Sequence, residues 1–313
     1  MKKKRLLGLI TLTVISIIAF TGCSKTVEEV KEKSVTKVVS TIKGDVTVPT
    51  TPPKRIVDIS GSSEELLILN HIPVGTANAD SYKTTEIPSY LKDKMSTSEL
   101  VGFSMMDTMD MEAILKLDPD LILMSERQTK IYAQLKAIAP VVMLKDYAND
   151  WRTRLTDVSK LFGQEKDAQK WLAEYDKKAI HIGSEIKKEN GPQTYLTLLA
   201  SSGKFYIFSD AGIGSILLSD MKLAQPSNIP KQEGISLPVV TMEGLSSIDA
   251  DHIVVIAADA DKKDLESSTV WKSMRAVKNG NVTTLDSSPY FAQGYSPIGR
   301  ELLLDLIKKE FVK

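Results

Sequence analysis

Residues 165–190 read EKDAQKWLAEYDKKAIHIGSEIKKEN, and this stretch decides how the rest of the chain is divided. Its apolar residues recur with a 4-3-4-3-4 spacing, which places them on one face of a helix; they are Ala168, Leu172, Tyr175, Ala179, Ile182 and Ile186. From 165 to 189 such a helix is about 37 Å long at ~1.5 Å per residue. Because Gly191-Pro192 ends the pattern, we predict one long rigid helix over 165–190.

The residues on either side of this helix predict alternating strands and helices. Before it, a strand over 55–59 leads through a polar turn into a helix over 64–70, and the alternation continues to a strand over 141–144. After it, a strand over 194–199 begins a second series that closes with a helix over 297–311. Such alternation is typical of mostly parallel sheets covered on both faces.

The predicted fold class is therefore α/β. We expect two Rossmann-like lobes, over 45–164 and 191–313, each built on a mostly parallel sheet. The single long helix joins them and limits how far a ligand cleft between the lobes can open.

An internal repeat supports two related lobes. The segment MEAILKLDPDLIL at 111–123 aligns with MEGLSSIDADHIV at 242–254 at a constant offset (242 − 111 = 131). In both copies Met and Glu open a helix, and an Asp-x-Asp turn leads into a buried strand. Chance similarity remains an alternative, since this arrangement is common in α/β proteins.

The amino terminus predicts an export signal and a lipid anchor. Four basic residues at 2–5 precede an apolar run over 6–20, which is short for a membrane span and typical of a secretory signal peptide. The run ends at Phe20-Thr-Gly-Cys23, which resembles a bacterial lipobox with Phe in place of the usual Leu. We predict a signal peptide over 1–22, lipidation of Cys23 and a flexible spacer over 23–44. The protein is then anchored on the extracytoplasmic face of the cell membrane, in the Gram-positive manner.

Composition excludes several classes of function. The 313 residues carry 40 basic and 40 acidic side chains, so nothing indicates a nucleic-acid surface. One cysteine and three scattered histidines do not make a clustered zinc site, and lipidation of Cys23 leaves no thiol nucleophile. A hydrolase elbow of the Gly-x-Ser-x-Gly type is also missing from the sequence. We therefore expect no catalytic residues, no protein-bound metal and no enzyme activity.

Several motifs between residues 50 and 305 together resemble the class III substrate-binding proteins of bacterial ABC importers, the branch that captures iron(III)-siderophores, haem or cobalamin. They are Pro53-Lys-Arg-Ile-Val57, Met111-Glu112, Leu117-Asp-Pro-Asp-Leu-Ile122, Gln134-Leu135, Ile138-Ala-Pro-Val141 and, most specifically, WKSMRAVKNGNV at 271–282. The resemblance implies a monomeric binding protein that hands its ligand to a membrane permease driven by an ATPase. It also implies that Glu112 and Glu243, one in each lobe, dock to arginine pockets of that permease. The alternative interpretation of both is a favourable charge in the first turn of a helix.

Ligand-binding residues are expected on the loops that follow strands and face the other lobe. In the first lobe the candidates are Ser60, Met105, Met106, Arg127 and Tyr132; relatives place an arginine at the position of Arg127, where it reaches the iron-bound oxygens of the siderophore. In the second lobe they are Tyr206, Tyr290, Phe291 and Tyr295, of which the last three are predicted to lie in a loop before the final helix. The alternatives are a solvated Arg127 and aromatic side chains that pack the end of that helix.

One arginine among aromatic and methionine side chains suits a nearly neutral iron-hydroxamate complex better than a multiply charged chelate. The siderophore itself coordinates the iron, so no cofactor is expected. Haem, cobalamin and catecholate or citrate complexes remain alternatives. Met105 and Met106 are compatible with haem as the ligand, whereas His71, His181 and His252 are predicted to be structural. A two-lobed signalling or structural lipoprotein that has lost its ligand is a further alternative.

Overall fold

The computed structural model of the protein describes residues 36–49, 52–231, 233–234 and 236–312. The predicted signal peptide, Cys23 and the first part of the predicted spacer lie outside these residues. Among the residues described, no helix is both long enough and apolar enough to cross a membrane.

A β-hairpin precedes the first lobe. Strands β1 (Thr36–Thr41) and β2 (Gly44–Pro49) pair antiparallel, with Val39 opposite Val46. Val39, Val46 and Val48 pack against the apolar core of the first lobe. The spacer prediction over 23–44 is therefore wrong for residues 36–44, because alternating valines bury one face of the hairpin.

The first lobe contains one parallel sheet with helices on both faces. Its strands are β3 (Ile56–Asp58), β4 (Gly75–Asn78), β5 (Glu99–Phe103), β6 (Leu121–Ser125) and β7 (Val141–Leu144), in the order β5-β4-β3-β6-β7. Its helices are α1 (Ser63–Ile68), α2 (Met111–Lys116), α3 (Tyr132–Lys136) and α4 (Trp151–Phe162), with 3₁₀ turns at Ser89–Leu91 and Glu126–Ile131. Nearly every side chain of β3, β6 and β7 is buried, as expected for strands covered on both faces.

Helix α5 (Glu165–Asn190) is the predicted long helix, and its apolar stripe is buried in both lobes. Ala168 packs in the first-lobe core, whereas Tyr175 and the apolar residues after it pack in the second-lobe core. Trp171 and Leu172 contact both cores. One unbroken helix therefore contributes to two cores in succession.

The second lobe contains a mixed sheet. Its strands are β8 (Tyr195–Ser201), β9 (Lys204–Phe208), β10 (Val239–Val240), β11 (His252–Ala257) and β12 (Val282–Asp286), in the order β10-β9-β8-β11-β12. Strands β8, β11 and β12 are parallel, and β9 runs antiparallel to both of its neighbours. Its helices are α6 (Gly212–Ser215), which a π-helical turn over Ile216–Asp220 extends, α7 (Met242–Ser246), α8 (Asp259–Ser267), α9 (Thr269–Ser273), α10 (Arg275–Lys278), α11 (Ser287–Gln293) and α12 (Pro297–Phe311).

The internal repeat corresponds to the same local structure in each lobe. Helix α2 leads into β6, and helix α7 leads into β11 at the offset seen in the sequence. The capping residues also correspond, since Asp110 accepts a hydrogen bond from the Ala113 amide and Thr241 from the Gly244 amide. The α/β fold class with two lobes and one connecting helix is confirmed.

We predict that Gly183→Ala destabilises the protein. A Cβ at position 183 would overlap the main-chain carbonyl oxygen of Met221, where α5 packs against the end of the π-helical turn. Overpacking of this kind costs ~1–3 kcal/mol, which outweighs the ~1 kcal/mol that alanine adds to a helix interior. Urea denaturation is expected to give a lower free energy of unfolding, by about 2 kcal/mol.

The matched control is Ser184→Ala, one position along α5 on its exposed side. It is expected to change the free energy of unfolding by less than about 0.5 kcal/mol. A Gly183→Ala protein as stable as the wild type would show that α5 does not need this close approach.

Candidate functional site

A cavity of about 270 Å³ lies between the lobes, at the carboxyl ends of the first-lobe strands. Each strand of that sheet contributes the loop that follows it. The first-lobe loops supply Ser60, Gly61, Ser62, Ala79, Ser81, Ser104, Met105, Ser125, Arg127 and residues 145–149, and Arg154 is added from α4. The first-lobe wall is therefore mainly polar.

The second lobe closes the cavity with α11 and the turn that follows it. Phe291, Ala292, Tyr295 and Ser296 line this side. Phe291 and Tyr295 lie one helical turn apart, with ring centroids separated by 5.4 Å, and Tyr82 of the first lobe meets Phe291 edge to face at 5.7 Å. The predicted loop over 290–295 is mostly helical, and its aromatic side chains form one wall.

Arg127 is paired with a carboxylate that the sequence did not indicate. Its Nε and Nη2 atoms donate to Asp146 at 2.8–3.0 Å in a bidentate arrangement, and Nη1 contacts the sulfur of Met105. Both side chains are partly exposed, Arg127 by 29% and Asp146 by 39%, and both line the cavity. The guanidinium is thus held in place, and its charge is offset within the cleft.

Buried polar side chains fix the first-lobe loops. The Gln128 amide accepts hydrogen bonds from the amide and hydroxyl of Ser125 at 2.8–2.9 Å and donates to the carbonyl oxygens of Ser104 and Met106. The Ser60 hydroxyl donates to Asp58 at 2.6 Å, and burial raises the pKa of that carboxyl. The cleft wall is therefore preorganised.

A second arginine in the cleft, Arg154, is paired with a buried glutamate. Its Nε donates to Glu65 Oε1 at 2.6 Å, and its Nη2 donates to the carbonyl oxygen of Tyr295 in the other lobe at 3.1 Å. Glu65 is fully buried, and its Oε2 makes no hydrogen bond to any residue that the structure describes. Burial raises the pKa of Glu65 to about 7, although the Arg154 guanidinium acts in the opposite direction.

Further hydrogen bonds join the lobes around the cavity. Glu64 of α1 accepts from the Ser296 hydroxyl at 2.7 Å and from the Gly299 amide at 2.9 Å, so it caps the amino terminus of α12 across the lobe boundary. Nearby, the Ser288 hydroxyl donates to Asp80 at 2.6 Å. These contacts set the distance between the two walls.

The structure brings together five of the nine predicted cleft residues, namely Ser60, Met105, Arg127, Phe291 and Tyr295. The other four lie outside the cavity lining. Tyr132 packs partly buried against the first-lobe core, and Tyr206 and Tyr290 pack partly buried against the second-lobe core. Met106 is 52% exposed beside the cleft, and its carbonyl oxygen is used to bind Gln128.

Sequence reasoning missed the loop 145–150, which supplies Lys145, Asp146, Tyr147 and Asn149 to the cavity. This loop directly follows β7. The expectation that ligand-binding residues lie on loops after strands, which indicated Arg127, would also have indicated this loop. No pattern in the sequence indicates Arg154, Glu64 or Glu65, because charged residues in a helix usually face solvent.

The two predicted docking glutamates occupy equivalent places. Glu112 and Glu243 are both exposed, each in the first turn of its helix, α2 or α7. Hydrogen bonds from its own amide and from Thr241 lower the pKa of Glu243. Docking remains a prediction.

The histidines lie away from the cavity lining. His71 stacks on Phe162 and binds Gln164, His181 lies on the exposed side of α5, and His252 stacks on Tyr195. Among the described residues, no group of three or more His, Cys, Asp or Glu side chains is placed to hold a metal ion.

The buried carboxyl of Glu65 predicts a specific pH dependence of stability. Its pKa is about 7 in the folded chain, above the ordinary value of 4.5, so between these pH values the folded state holds a proton that the unfolded state releases. The free energy of unfolding therefore falls as pH rises from 4.5 to 7, by at most about 1.4 kcal/mol per pH unit from this group. We expect Glu65→Gln to remove this contribution.

The measurement is urea denaturation of the wild type and Glu65→Gln between pH 4.5 and 7.5, with the exposed Glu266→Gln as control. The free energy of unfolding of the wild type minus that of Glu65→Gln is expected to decrease with rising pH. The same difference between the wild type and Glu266→Gln is expected to be independent of pH. A difference that is constant, or that increases with pH, would contradict the raised pKa.

The chain is similar in sequence to a family of binding proteins and to individual members of it. Residues 59–289 match the family model described as periplasmic binding protein. A probable siderophore-binding lipoprotein of Bacillus subtilis, YfiY, is 30% identical over 85% of this chain and 84% of its own length. The iron(3+)-hydroxamate-binding protein FhuD of the same organism is 29% identical over 98% of both chains.

Solved structures of similar fold also include periplasmic binding proteins of siderophore transporters. A FhuD fold-family periplasmic binding protein component of a ferrichrome ABC transporter from Bacillus subtilis superimposes with a TM-score of 0.73 at 30% identity, covering 88% of this chain and 100% of that one. Staphylococcus aureus SirA, complexed with staphyloferrin B, gives a TM-score of 0.71 at 26% identity over 88% of this chain and 98% of its own. The chain belongs to the periplasmic binding protein family, within the class of ABC-importer substrate-binding proteins whose members include siderophore-binding lipoproteins.

Proposed function

We propose that this protein captures an intact iron(III)-siderophore complex of the hydroxamate type and delivers it to an ABC permease. The observation that carries the proposal is the charge balance of the cavity. The guanidinium of Arg127, which lines the cavity, is offset by the carboxylate of Asp146 and lies opposite an aromatic wall. A guanidinium whose charge is already offset favours a ligand that itself carries little charge.

A ferric trihydroxamate fits this arrangement chemically. It presents iron-bound oxygens, which accept hydrogen bonds from the remaining N–H groups of Arg127, and apolar edges, which pack on Phe291 and Tyr295. The siderophore supplies the metal ligands, so the protein needs only to recognise the outside of the complex. The iron(3+)-hydroxamate-binding relative supports this choice among ferric complexes.

Delivery is proposed to use the exposed glutamates and a lipid anchor. Glu112 and Glu243 present one carboxylate from each lobe, suited to basic pockets on a permease. We propose that lipidation of Cys23 holds the monomeric protein at the extracytoplasmic face of the membrane, as the names of the lipoprotein relatives suggest. In this role the protein transports its ligand unchanged and catalyses no reaction.

Ligand titration tests the proposed function. Quenching of the fluorescence of Trp151, Trp171 and Trp271 is measured with ferrichrome, ferrioxamine, a ferric catecholate, ferric citrate, haem and cobalamin. We expect the hydroxamates to bind in the submicromolar range. Arg127→Ala is expected to weaken that binding at least about tenfold, or about 1.4 kcal/mol, because it removes the donors to the chelate.

The control for the arginine variant is Arg275→Ala, which also breaks arginine–aspartate pairs but lies at the amino end of β11, away from the cavity lining. It is expected to bind hydroxamates like the wild type. Saturable binding of only haem, cobalamin or a catecholate would overturn the proposal. An unchanged affinity of Arg127→Ala would remove that residue from the site.

Permease docking is tested by the double substitution Glu112→Ala with Glu243→Ala. Because both side chains are exposed and outside the cavity lining, ligand affinity is expected to stay unchanged while uptake of iron-55 ferrichrome by cells is abolished. A double substitution of the exposed Glu174 and Glu266 to Ala serves as the control. Equal loss of ligand binding, or normal uptake, would contradict docking through these residues.

A further inference from the structure

We infer that Asp146 determines which ferric complexes the cleft accepts, by offsetting the charge of Arg127 and so discriminating against multiply anionic chelates. This inference rests on the proposed function and adds a selectivity residue to it. The carboxylate occupies the Nε and Nη2 edge of the guanidinium, which is the edge suited to bidentate binding of an anion. A carboxylate or catecholate group of a ligand therefore has to compete with Asp146 for that edge.

Asp146 is held in place from several sides. Its amide donates to Glu126 at 2.9 Å, and its Oδ1 accepts from the Ala148 amide at 3.0 Å. The loop is also fixed beyond it, because the Tyr147 hydroxyl donates to Asp157 at 2.9 Å and Asp150 caps α4. Since little of this depends on Arg127, the carboxylate stays beside the guanidinium when a ligand enters.

The charge of Asp146 is a large share of the charge at the cavity wall, because few other charged side chains line it. The other charged side chains lining the cavity are Lys145, which lies over the ring of Tyr147, and Arg154, which donates a hydrogen bond to Glu65. Removing the charge of Asp146 therefore leaves two unpaired cations, Arg127 and Lys145, at the cavity wall. Attraction to a ligand scales with the charge of the ligand, so an anionic complex gains affinity and a neutral one does not.

The test compares ligands of different charge in wild type and Asp146→Asn. The amide keeps the size of the side chain and an oxygen for the Ala148 amide but removes the negative charge. The probes are ferrichrome, a neutral trihydroxamate, and a multiply anionic ferric tris-catecholate, with affinities measured at low and high salt. Asp146→Asn is expected to raise catecholate affinity at least about tenfold at low salt and to leave ferrichrome affinity within about threefold.

Two further variants test whether the change in affinity arises from the charges of Asp146 and Arg127. Asp249→Asn breaks another exposed arginine–aspartate pair, that with Arg275, outside the cavity lining, and is expected to leave the ratio of the two affinities at the wild-type value. In the double variant Arg127→Gln with Asp146→Asn both charges are gone, so the ratio is expected to return to within about threefold of the wild-type value.

The outcomes separate the inference from the proposed function. A wild type that binds none of the ferric complexes would overturn the proposed function. A wild type that binds them, with an affinity ratio unchanged in Asp146→Asn, would overturn only the role of Asp146. A double variant that keeps the altered ratio would likewise overturn it, because the effect would not then arise from the charge of Arg127.

Discussion

The buried stripe of α5 is the constraint on which the rest of the structure depends. A single helix places Ala168 in one apolar core and Tyr175 in the other, with Trp171 and Leu172 in contact with both. Turning one lobe away from the other would bend the helix or expose part of this stripe, and both cost free energy. Glu64 adds a second connection by capping α12 across the boundary. The cleft is thus held nearly at one width, as a site that accepts a rigid ligand of fixed size requires.

The two walls of the cleft differ because they come from different structural elements. On the first-lobe side, the loops at the carboxyl ends of parallel strands gather side chains such as Arg127 and Asp146, which Gln128 and the loop 145–150 hold in place. On the second-lobe side, α11 and the turn that follows it present Phe291 and Tyr295. Preorganised donors facing an apolar surface recognise a ligand that is polar on one side and apolar on the other.

Apolar periodicity and the alternation of strands and helices predicted most of the fold from the sequence alone. The bounds of α5, β7 and α12 were predicted to the residue, because strong apolar patterns and Gly or Pro boundaries mark them. Part of the site followed from the same logic, since Arg127 directly follows a predicted strand. The partners of the two arginines could not be predicted in this way. Asp146 lies 19 residues from Arg127 in sequence and Glu65 lies 89 residues from Arg154, and no local pattern indicates such contacts. Tyr206 and Tyr290 lie partly buried against the second-lobe core and outside the cavity lining. No local pattern separates them from Phe291 and Tyr295, which pack on the same core and also line the cavity.

We propose that the cavity between the lobes holds an iron complex whose metal is coordinated by the chelator alone. Anomalous X-ray diffraction at the iron absorption edge, on crystals grown with ferrichrome, tests this directly. We expect one iron peak within the cavity, six chelator oxygens around it, and Arg127 within hydrogen-bond distance of the chelate. Iron bound directly to protein carboxylates, or a chelate located outside the cavity lined by Arg127, Phe291 and Tyr295, would contradict it.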